Sequence, residues 1–523
     1  MVETNGTLGE TVVRVCTGSA RLTAARALLT AAREEATSVS VVEVGPVGIG
    51  ELDPLVLVTA DGTTAYHSAP NEDDVRELVR RVEDDDVSAD EADAVVEHQS
   101  DQRTLPLPET GPLAVGKRRV LRRAGWSPPE TLGTGESGDV KLATEAVRTD
   151  PDAADRRVRE TGLLGRGRGD GSTDTAVVDE WDRARETHAS TGSDPVVVVN
   201  ANESDTRNET DRLLLESVPT EIIDGALAVA ELVVAEDVIC YGNESDSLAR
   251  DRLEVAADSL TEHLDPPNRP QVVSGPDCYV AGEMTMALES MEGSDRLEAR
   301  LRPPTPAQHG LYGRPTVIHT PRTLAQIREL LLRPASFDAD DADPGTRLVT
   351  VSGDVTAPAT VELATSGSLS SIREAVSLTG SLKMACVGGQ FGGLTRTLEH
   401  PPSAPALVGA GLGTGGAVEL FGDSRCAVAL AGTRARFAED ENCGRCVPCR
   451  EGSVQLTTLL RNVYRGTYDD DAIRELTRVM RTTSTCEFGR GAARPVTTAL
   501  DEFETEFYAH ADGRCPSGEC EEM

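Results

Sequence analysis

Cys443, Cys446 and Cys449 lie in Cys-Gly-Arg-Cys-Val-Pro-Cys-Arg, and Cys486 follows in Ser-Thr-Cys-Glu-Phe-Gly. Three thiolates at C-x2-C-x2-C spacing can wrap a compact ligand, and a remote fourth can close its open side. Four sulfur donors are the ligand complement of a [4Fe–4S] cluster. A structural zinc site is the rival reading, although zinc ligands more often come as two separated Cys/His pairs. A disulfide framework fits less well, because nothing else in the chain looks secreted. The chemistry expected of these residues is electron transfer.

A second set of motifs lies upstream. Gly162-Leu-Leu-Gly-Arg-Gly-Arg-Gly-Asp-Gly171 is a glycine- and arginine-rich turn after a helical run. Glycines let backbone N–H groups approach a phosphate, and arginine adds charge-assisted bonds, although a surface loop has similar composition. A run of four valines then ends in Asn200-Ala-Asn-Glu-Ser-Asp205, polar groups at the carboxyl edge of a strand, where open α/β sheets bind ligands. Gly275-Pro-Asp-Cys-Tyr-Val-Ala-Gly-Glu-Met, Arg302-Pro-Pro-Thr-Pro and Gly310-Leu-Tyr-Gly-Arg-Pro-Thr316 complete the set.

The elements that must position these residues divide the chain into an α/β multidomain protein. Residues 1–83 read as a small α/β unit with strands at 11–16 and 39–44, a helix at 21–35, a hairpin around Asp61-Gly62 and a helix at 71–82. Residues 84–112 read as an acidic and proline-containing linker. From 113 to 335, helical runs alternate with short apolar strands such as 196–200 and 238–241, the pattern of an α/β sheet. Residues 345–423 read as a β-rich domain. Residues 424–523 are helical, with helices expected at 453–464, 470–482 and 496–510. Lys117–Arg123 is a small basic cluster read as a solvated face or docking contact.

The net charge is −37, from 88 acidic and 51 basic residues, and only 3% of residues are aromatic. Such acidity excludes nucleic acid and anionic lipid as natural partners. It is spread along the chain, which suits solubility in a salty, halophile-like cytoplasm. No apolar run is long enough to span a bilayer, and the opening residues lack an export signal, so direct membrane insertion is not expected and the cytoplasm is the default location. Cys240, Cys278, Cys386 and Cys426 read as small buried hydrophobes. Cys515 and Cys520 make no metal site as a pair, though they could complete one with a partner. His309 and His319 read as structural.

Taken in order, these motifs resemble the flavoprotein, NADH-oxidising subunit of respiratory complex I and its relatives in NAD-linked hydrogenases and formate dehydrogenases. The segment Glu441-Asn-Cys-Gly-Arg-Cys-Val-Pro-Cys-Arg-Glu-Gly452 is the most specific match. The resemblance implies a thioredoxin-like N-terminal domain, a Rossmann-like FMN/NADH-binding domain, a β-grasp (SLBB-like) domain and a C-terminal helical bundle carrying the cluster. It implies NADH as electron donor, FMN, NAD and a [4Fe–4S] cluster as cofactors, and other electron-transfer subunits as partners. Carried over, Gly165, Arg166 and Gly167 line the FMN phosphate and ribityl chain, and Asn200, Asn202 and Glu203 meet the flavin. Tyr279, Gly282 and Glu283 sit by the isoalloxazine and nicotinamide, Tyr279 and Glu283 as the catalytic pair. Asp205 contacts the dinucleotide, and Arg168 or Arg302 supplies compensating charge. The N-terminal domain keeps only Cys16 of the four cysteines that such domains use for a [2Fe–2S] cluster. Several flavin-site residues depart from the family pattern: Ser172-Thr-Asp-Thr, Met284, Thr305 and His319-Thr320. The alternative implied by those departures is a non-enzymatic iron–sulfur relay or scaffold that has lost flavin and NADH binding.

Overall fold

The computed structural model describes residues 11–84, 92–132, 140–168, 174–203 and 205–521. The opening residues, part of the acidic run at Asp84-Asp85-Asp86, the Gly169-Asp170-Gly171 end of the glycine loop and its continuation Ser172-Thr173 lie outside the described residues.

The first sheet contains β1 (Val12–Cys16), β2 (Ser40–Val44), β3 (Leu55–Ala60), β4 (Thr63–Ser68) and β5 (Ala94–Glu97), in the order β2-β1-β3-β4-β5. The β3–β4 hairpin turns through Asp61 and Gly62, both at positive φ (48° and 77°), the backbone that a two-residue hairpin with the strand twist demands. The helix Glu72–Glu83 starts at Asn71, whose side chain accepts from the N–H groups of Asp73 and Asp74 while Asp74 reaches back to the Asn71 N–H, a reciprocal cap. β5 lies within what the sequence reading treats as a linker; it pairs with β4 at Thr63–Tyr66. Its four residues, flanked by charge, are too short a periodic signal to read. Cys16 is buried, beside Val47 and Gly125, where a Cβ at Gly125 would lie 3.8 Å from its sulfur.

The second sheet is wholly parallel, ordered β8-β7-β6-β9, with β6 (Val196–Ala201), β7 (Asp237–Asn243), β8 (Gln271–Gly275) and β9 (Thr316–His319). The chain runs outward from β6 to β8 and returns to place β9 on β6's other side. The gap between the carboxyl ends of β6 and β9 is therefore a topological switch point, the crevice where such sheets seat ligands. All six β6 residues are buried, which fits a parallel strand covered on both faces. The helix Pro219–Val233 behind it is buried along almost its whole length, yet carries Glu221 and Asp224. Arg328 pairs with both, at 3.0 and 2.8 Å. Arg123 bonds Glu221 at 3.0 Å and Arg122 bonds Glu329 at 2.6 Å. The basic cluster 117–123 thus contributes to a buried ion-pair network, and the solvated-face reading is corrected. The acidic partners come from remote helices that local sequence does not reveal.

The third sheet is mixed, ordered β11-β10-β14-β12-β13, with β10 (Thr346–Gly353), β11 (Ala359–Ala364), β12 (Leu382–Val387), β13 (Gly393–Thr395) and β14 (Ala417–Gly422). Its apolar residues share one core with Cys16, Leu55, Leu57 and Tyr66 of the first unit. The helices Ala427–Glu441, Val447–Val463, Asp470–Thr483, Glu487–Gly491 and Arg494–Ala511 form the C-terminal unit. No described helix is long and apolar enough to cross a membrane.

Candidate functional site

The helix Ala427–Glu441 ends at Asn442, whose amide donates to the carbonyls of Ala438 and Glu439 and whose oxygen accepts the Gly444 N–H. Gly444 takes a positive φ of 77°, which turns the chain sharply enough to set Cys443 and Cys446 on one side. Cys446 is the N-cap of Val447–Val463, Pro448 occupies its first turn, and Cys449 follows within the helix. Cys486 is the N-cap of the short helix Glu487–Gly491. A Cβ at Gly489 would sit 2.6 Å from the Ser484 hydroxyl and 2.8 Å from the Cys449 Cβ. The glycine of Cys-Glu-Phe-Gly is therefore what lets the fourth cysteine's helix lie against the first three.

These cysteines line one cavity, together with Met286, Thr485 and Phe488. Burial opposes ionisation of Cys446, but N–H groups of Thr485 and Cys449 hold its thiol below the ordinary value. Burial raises Cys449, as do the neighbouring Cys446, Cys486 and Cys443. Burial pushes Cys486 up to about 12, with the Glu283 carboxylate the next cause. Cys449 and Cys486, whose ionisation burial and neighbouring cysteines oppose, need a cationic core to become ligands. The donor set fits an iron–sulfur cluster.

The second cavity lies at the switch point and is lined by Gly165, Arg168, Glu180, Asn200, Gly282, Glu283, Met284, His319, Thr320 and Thr323, among others. Three helices begin at its wall: Val177–Thr191 after Ala176, Met284–Met291 capped by Glu283, and Pro321–Leu332 capped by Thr320. The Glu283 carboxylate and the Thr320 hydroxyl already cap two of these ends, while Val177–Thr191 has no side-chain cap, and an uncapped helix N-terminus favours a phosphate. Asn200 donates its amide to the Gly282 carbonyl at 2.8 Å. Its own oxygen is buried and has no hydrogen-bond partner among the described residues. A buried acceptor of that kind awaits a donor from a ligand. These features fit FMN.

His319 also lines this cavity. It is buried, and Trp181 donates its indole N–H to Nε2 at 2.9 Å. Indole can only donate, so Nε2 is the unprotonated nitrogen and Nδ1 carries the proton. Burial lowers the His319 pKa to about 4. The residue is thus a neutral donor with a fixed tautomer, able to replace an amide N–H.

The other expected site residues have distinct placements. Gly165 lines the cavity and Gly167 donates to Asp174 at 3.4 Å. The Arg166 guanidinium turns away, to Asp343 at 2.7 Å and to the carbonyls of Thr346 and Pro344. Asn202 is buried and donates to the Pro276 carbonyl at 3.3 Å. Glu203 accepts from Thr210, Asp211 and Arg212 at the head of Thr210–Ser217, so its carboxylate caps a helix. Asp205 accepts the Gln390 N–H at 2.7 Å, tying its loop to the third sheet. Arg302 bonds Glu283 at 2.8 Å. Glu283 also accepts the N–H groups of Thr285 and Met286.

Tyr279 stands in the wall between the two cavities. Its ring meets Phe391, Phe437 and Phe488 edge-on, at 5.5, 5.2 and 5.8 Å, and the Arg168 guanidinium lies 5.2 Å from its centroid. Phe488 is itself a wall of the cysteine cavity. Glu283 and Met284 face the switch-point cavity while Met286 faces the cysteine cavity. One helical turn therefore separates the two. Sequence reasoning misses Trp181 and this aromatic wall: each is a single ring in an ordinary apolar setting, distant in the chain from its partners.

A parallel sheet with a phosphate-ready switch point, adjoining a four-cysteine cavity, defines a flavin-linked iron–sulfur electron-transfer protein. Residues 158–329 match the Nuo51 FMN-binding domain, and residues 429–510 match the NADH-ubiquinone oxidoreductase-F iron-sulfur binding region. The NADH-quinone oxidoreductase F subunit of Mycobacterium tuberculosis is 31% identical over 425 residues, covering 75% of this chain and 93% of the relative. The second F-type subunit of the same enzyme in Rhizobium meliloti is 31% identical over 423 residues, covering 76% and 98%. A crystal structure of an NAD+-reducing [NiFe]-hydrogenase in the H2-reduced state has the same fold, with a TM-score of 0.67 and 22% identity over 96% of this chain and 85% of that one. The chain belongs to the family of NADH-quinone oxidoreductase F subunits.

Proposed function

We propose that this chain is an NADH-oxidising electron-transfer subunit, with FMN in the switch-point cavity and a [4Fe–4S] cluster held by Cys443, Cys446, Cys449 and Cys486. When bound, FMN accepts a hydride and releases electrons singly, which suits it to feed a one-electron cluster. The observation that carries the proposal is the shared wall: Glu283 and Met284 on one cavity, Met286 on the other.

The chain's own residues supply positioning. The uncapped N-terminus of Val177–Thr191 and Arg168 receive the phosphate charge, Asn200 offers its free oxygen, and the His319 Nδ1–H offers a donor. A hydrogen bond to a charged group contributes about 1.5–3 kcal/mol. Arg302 and the N–H groups of Thr285 and Met286 fix the Glu283 carboxylate in place, where it faces the nicotinamide approach. Tyr279, in the wall, keeps water from the short path to Phe488 and the thiolates. Arg166, Glu203 and Asp205 act on this reading through the backbone they hold.

The three sheets and the helices support reading the chain as a thioredoxin-like unit, a Rossmann-like domain, a β-grasp (SLBB-like) domain and a cluster-bearing helical unit. On this reading β5 belongs to the first unit, within the stretch read from sequence as a linker. Partner electron-transfer subunits would take the electrons, and cysteines free of disulfides suit the cytoplasm. The test is anaerobic purification with reconstituted iron, flavin quantitation, and NADH oxidation with ferricyanide as acceptor. Bound flavin with turnover supports the proposal. Iron without flavin and without turnover would replace it with the relay reading.

A further inference from the structure

We propose that Cys426, His510, Cys515 and Cys520 form a second metal centre, holding a single tetrahedral zinc ion that clasps the tail of the chain to the root of the helical unit. The sequence reading treats Cys426 as a small buried hydrophobe and Cys515 and Cys520 as short of ligands. The fold supplies the missing two. Cys426 is the N-cap of Ala427–Glu441, directly after β14, and His510 lies in the last turn of Arg494–Ala511. Gly513 and Gly518, both at positive φ (73° and 76°), curl the tail so that Cys515 and Cys520 return to them.

The three sulfurs and the His510 nitrogen all lie within 4.8 Å of one another. His510 Nε2 is 3.4 Å from Cys426 Sγ and 3.4 Å from Cys520 Sγ. A tetrahedral zinc with Zn–S of about 2.3 Å and Zn–N of about 2.0 Å places sulfur about 3.5 Å from nitrogen and about 3.8 Å from sulfur. The spacing is that of one ion. Among the described residues, no three of the cluster cysteines gather in this way; they face one another across a shared cavity instead.

The surroundings are those of a ligand set. His510 Nδ1 lies 2.7 Å from the Glu506 carbonyl, a bond that puts the proton on Nδ1 and leaves the Nε2 lone pair facing the sulfurs, the arrangement expected behind a metal-bound histidine. The Ala429 N–H donates to Cys426 Sγ at 3.4 Å. The Ser517 hydroxyl is 3.3 Å from Cys515 Sγ, and the Tyr464 hydroxyl 3.5 Å from Cys520 Sγ. A disulfide cannot account for the group, since pairing two of three sulfurs strands the third beside an imidazole. All four coordination positions come from the protein, which marks a structural and not a catalytic ion.

The test uses the full chain, purified anaerobically with its iron–sulfur cluster reconstituted. Metal analysis is expected to find one zinc per chain, and zinc-edge X-ray absorption a shell of three sulfurs and one nitrogen. The Cys515→Ser/Cys520→Ser double variant should lose the zinc and keep its iron. Cobalt(II) loaded into wild type in place of zinc should give intense thiolate-to-cobalt absorption, which reports the ligands even if the double variant folds poorly. Wild type without stoichiometric zinc or cobalt uptake, an unchanged zinc content in a folded double variant, or a disulfide among these cysteines in anaerobic protein would each overturn the proposal.

Discussion

His319 gives a quantitative handle on the flavin cavity. Its pKa is lowered from 6.5 to about 4 by burial, so the folded protein resists a proton that the unfolded chain accepts. Between these values the unfolded state binds more protons, and stability therefore falls as pH falls. At about 1.4 kcal/mol per pH unit, the full loss reaches about 3 kcal/mol below pH 4. Integrated between pH 7 and pH 5, it is about 2 kcal/mol. His319→Gln removes the titrating group, so its stability should fall by about 2 kcal/mol less than wild type over that interval. Urea unfolding followed by tryptophan emission, at fixed ionic strength, measures the difference, and Trp181, in contact with His319, reports the right domain. Identical pH dependence in the two proteins would refute both the burial argument and the neutral-donor role built on it.

Further expectations follow from single positions. A Cβ at Gly282 would lie 2.1 Å from an Arg168 nitrogen and 2.4 Å from the Asn202 carbonyl oxygen. Gly282→Ala should therefore lower bound flavin at least tenfold while iron is retained, as read by absorbance and metal analysis. Cys486→Ser should remove the cluster and leave flavin, so NADH–ferricyanide turnover survives while the cluster's EPR signal disappears. Arg328→Met leaves Glu221 and Asp224 buried without their shared cation and should cost about 3–5 kcal/mol in unfolding experiments; a loss below about 1 kcal/mol would contradict the network's role.

Local patterns in the sequence located most elements. Helices expected at 470–482 and 496–510 are observed at Asp470–Thr483 and Arg494–Ala511. The strand at 196–200 is β6, and its polar end does border the cavity. The Cys443–Cys449 run was legible because its ligands sit within one turn and a half of chain. Cys426, by contrast, is far in sequence from His510, and only the docking of Arg494–Ala511 on Ala427–Glu441 joins them. The resemblance puts Arg166 at the FMN phosphate, whereas its guanidinium pairs with Asp343, far along the chain. Glu203 likewise reads as a flavin contact, yet the nearest unsatisfied N–H groups are those of the helix that follows it.

The measurement that bears most directly on the central claim is EPR of the anaerobic, flavin-loaded protein after addition of NADH alone. If the cavities joined by Glu283–Met286 form one electron path, NADH should elicit the same reduced-cluster signal as dithionite, and Cys486→Ser should abolish both. A cluster that dithionite reduces and NADH leaves silent would contradict the account.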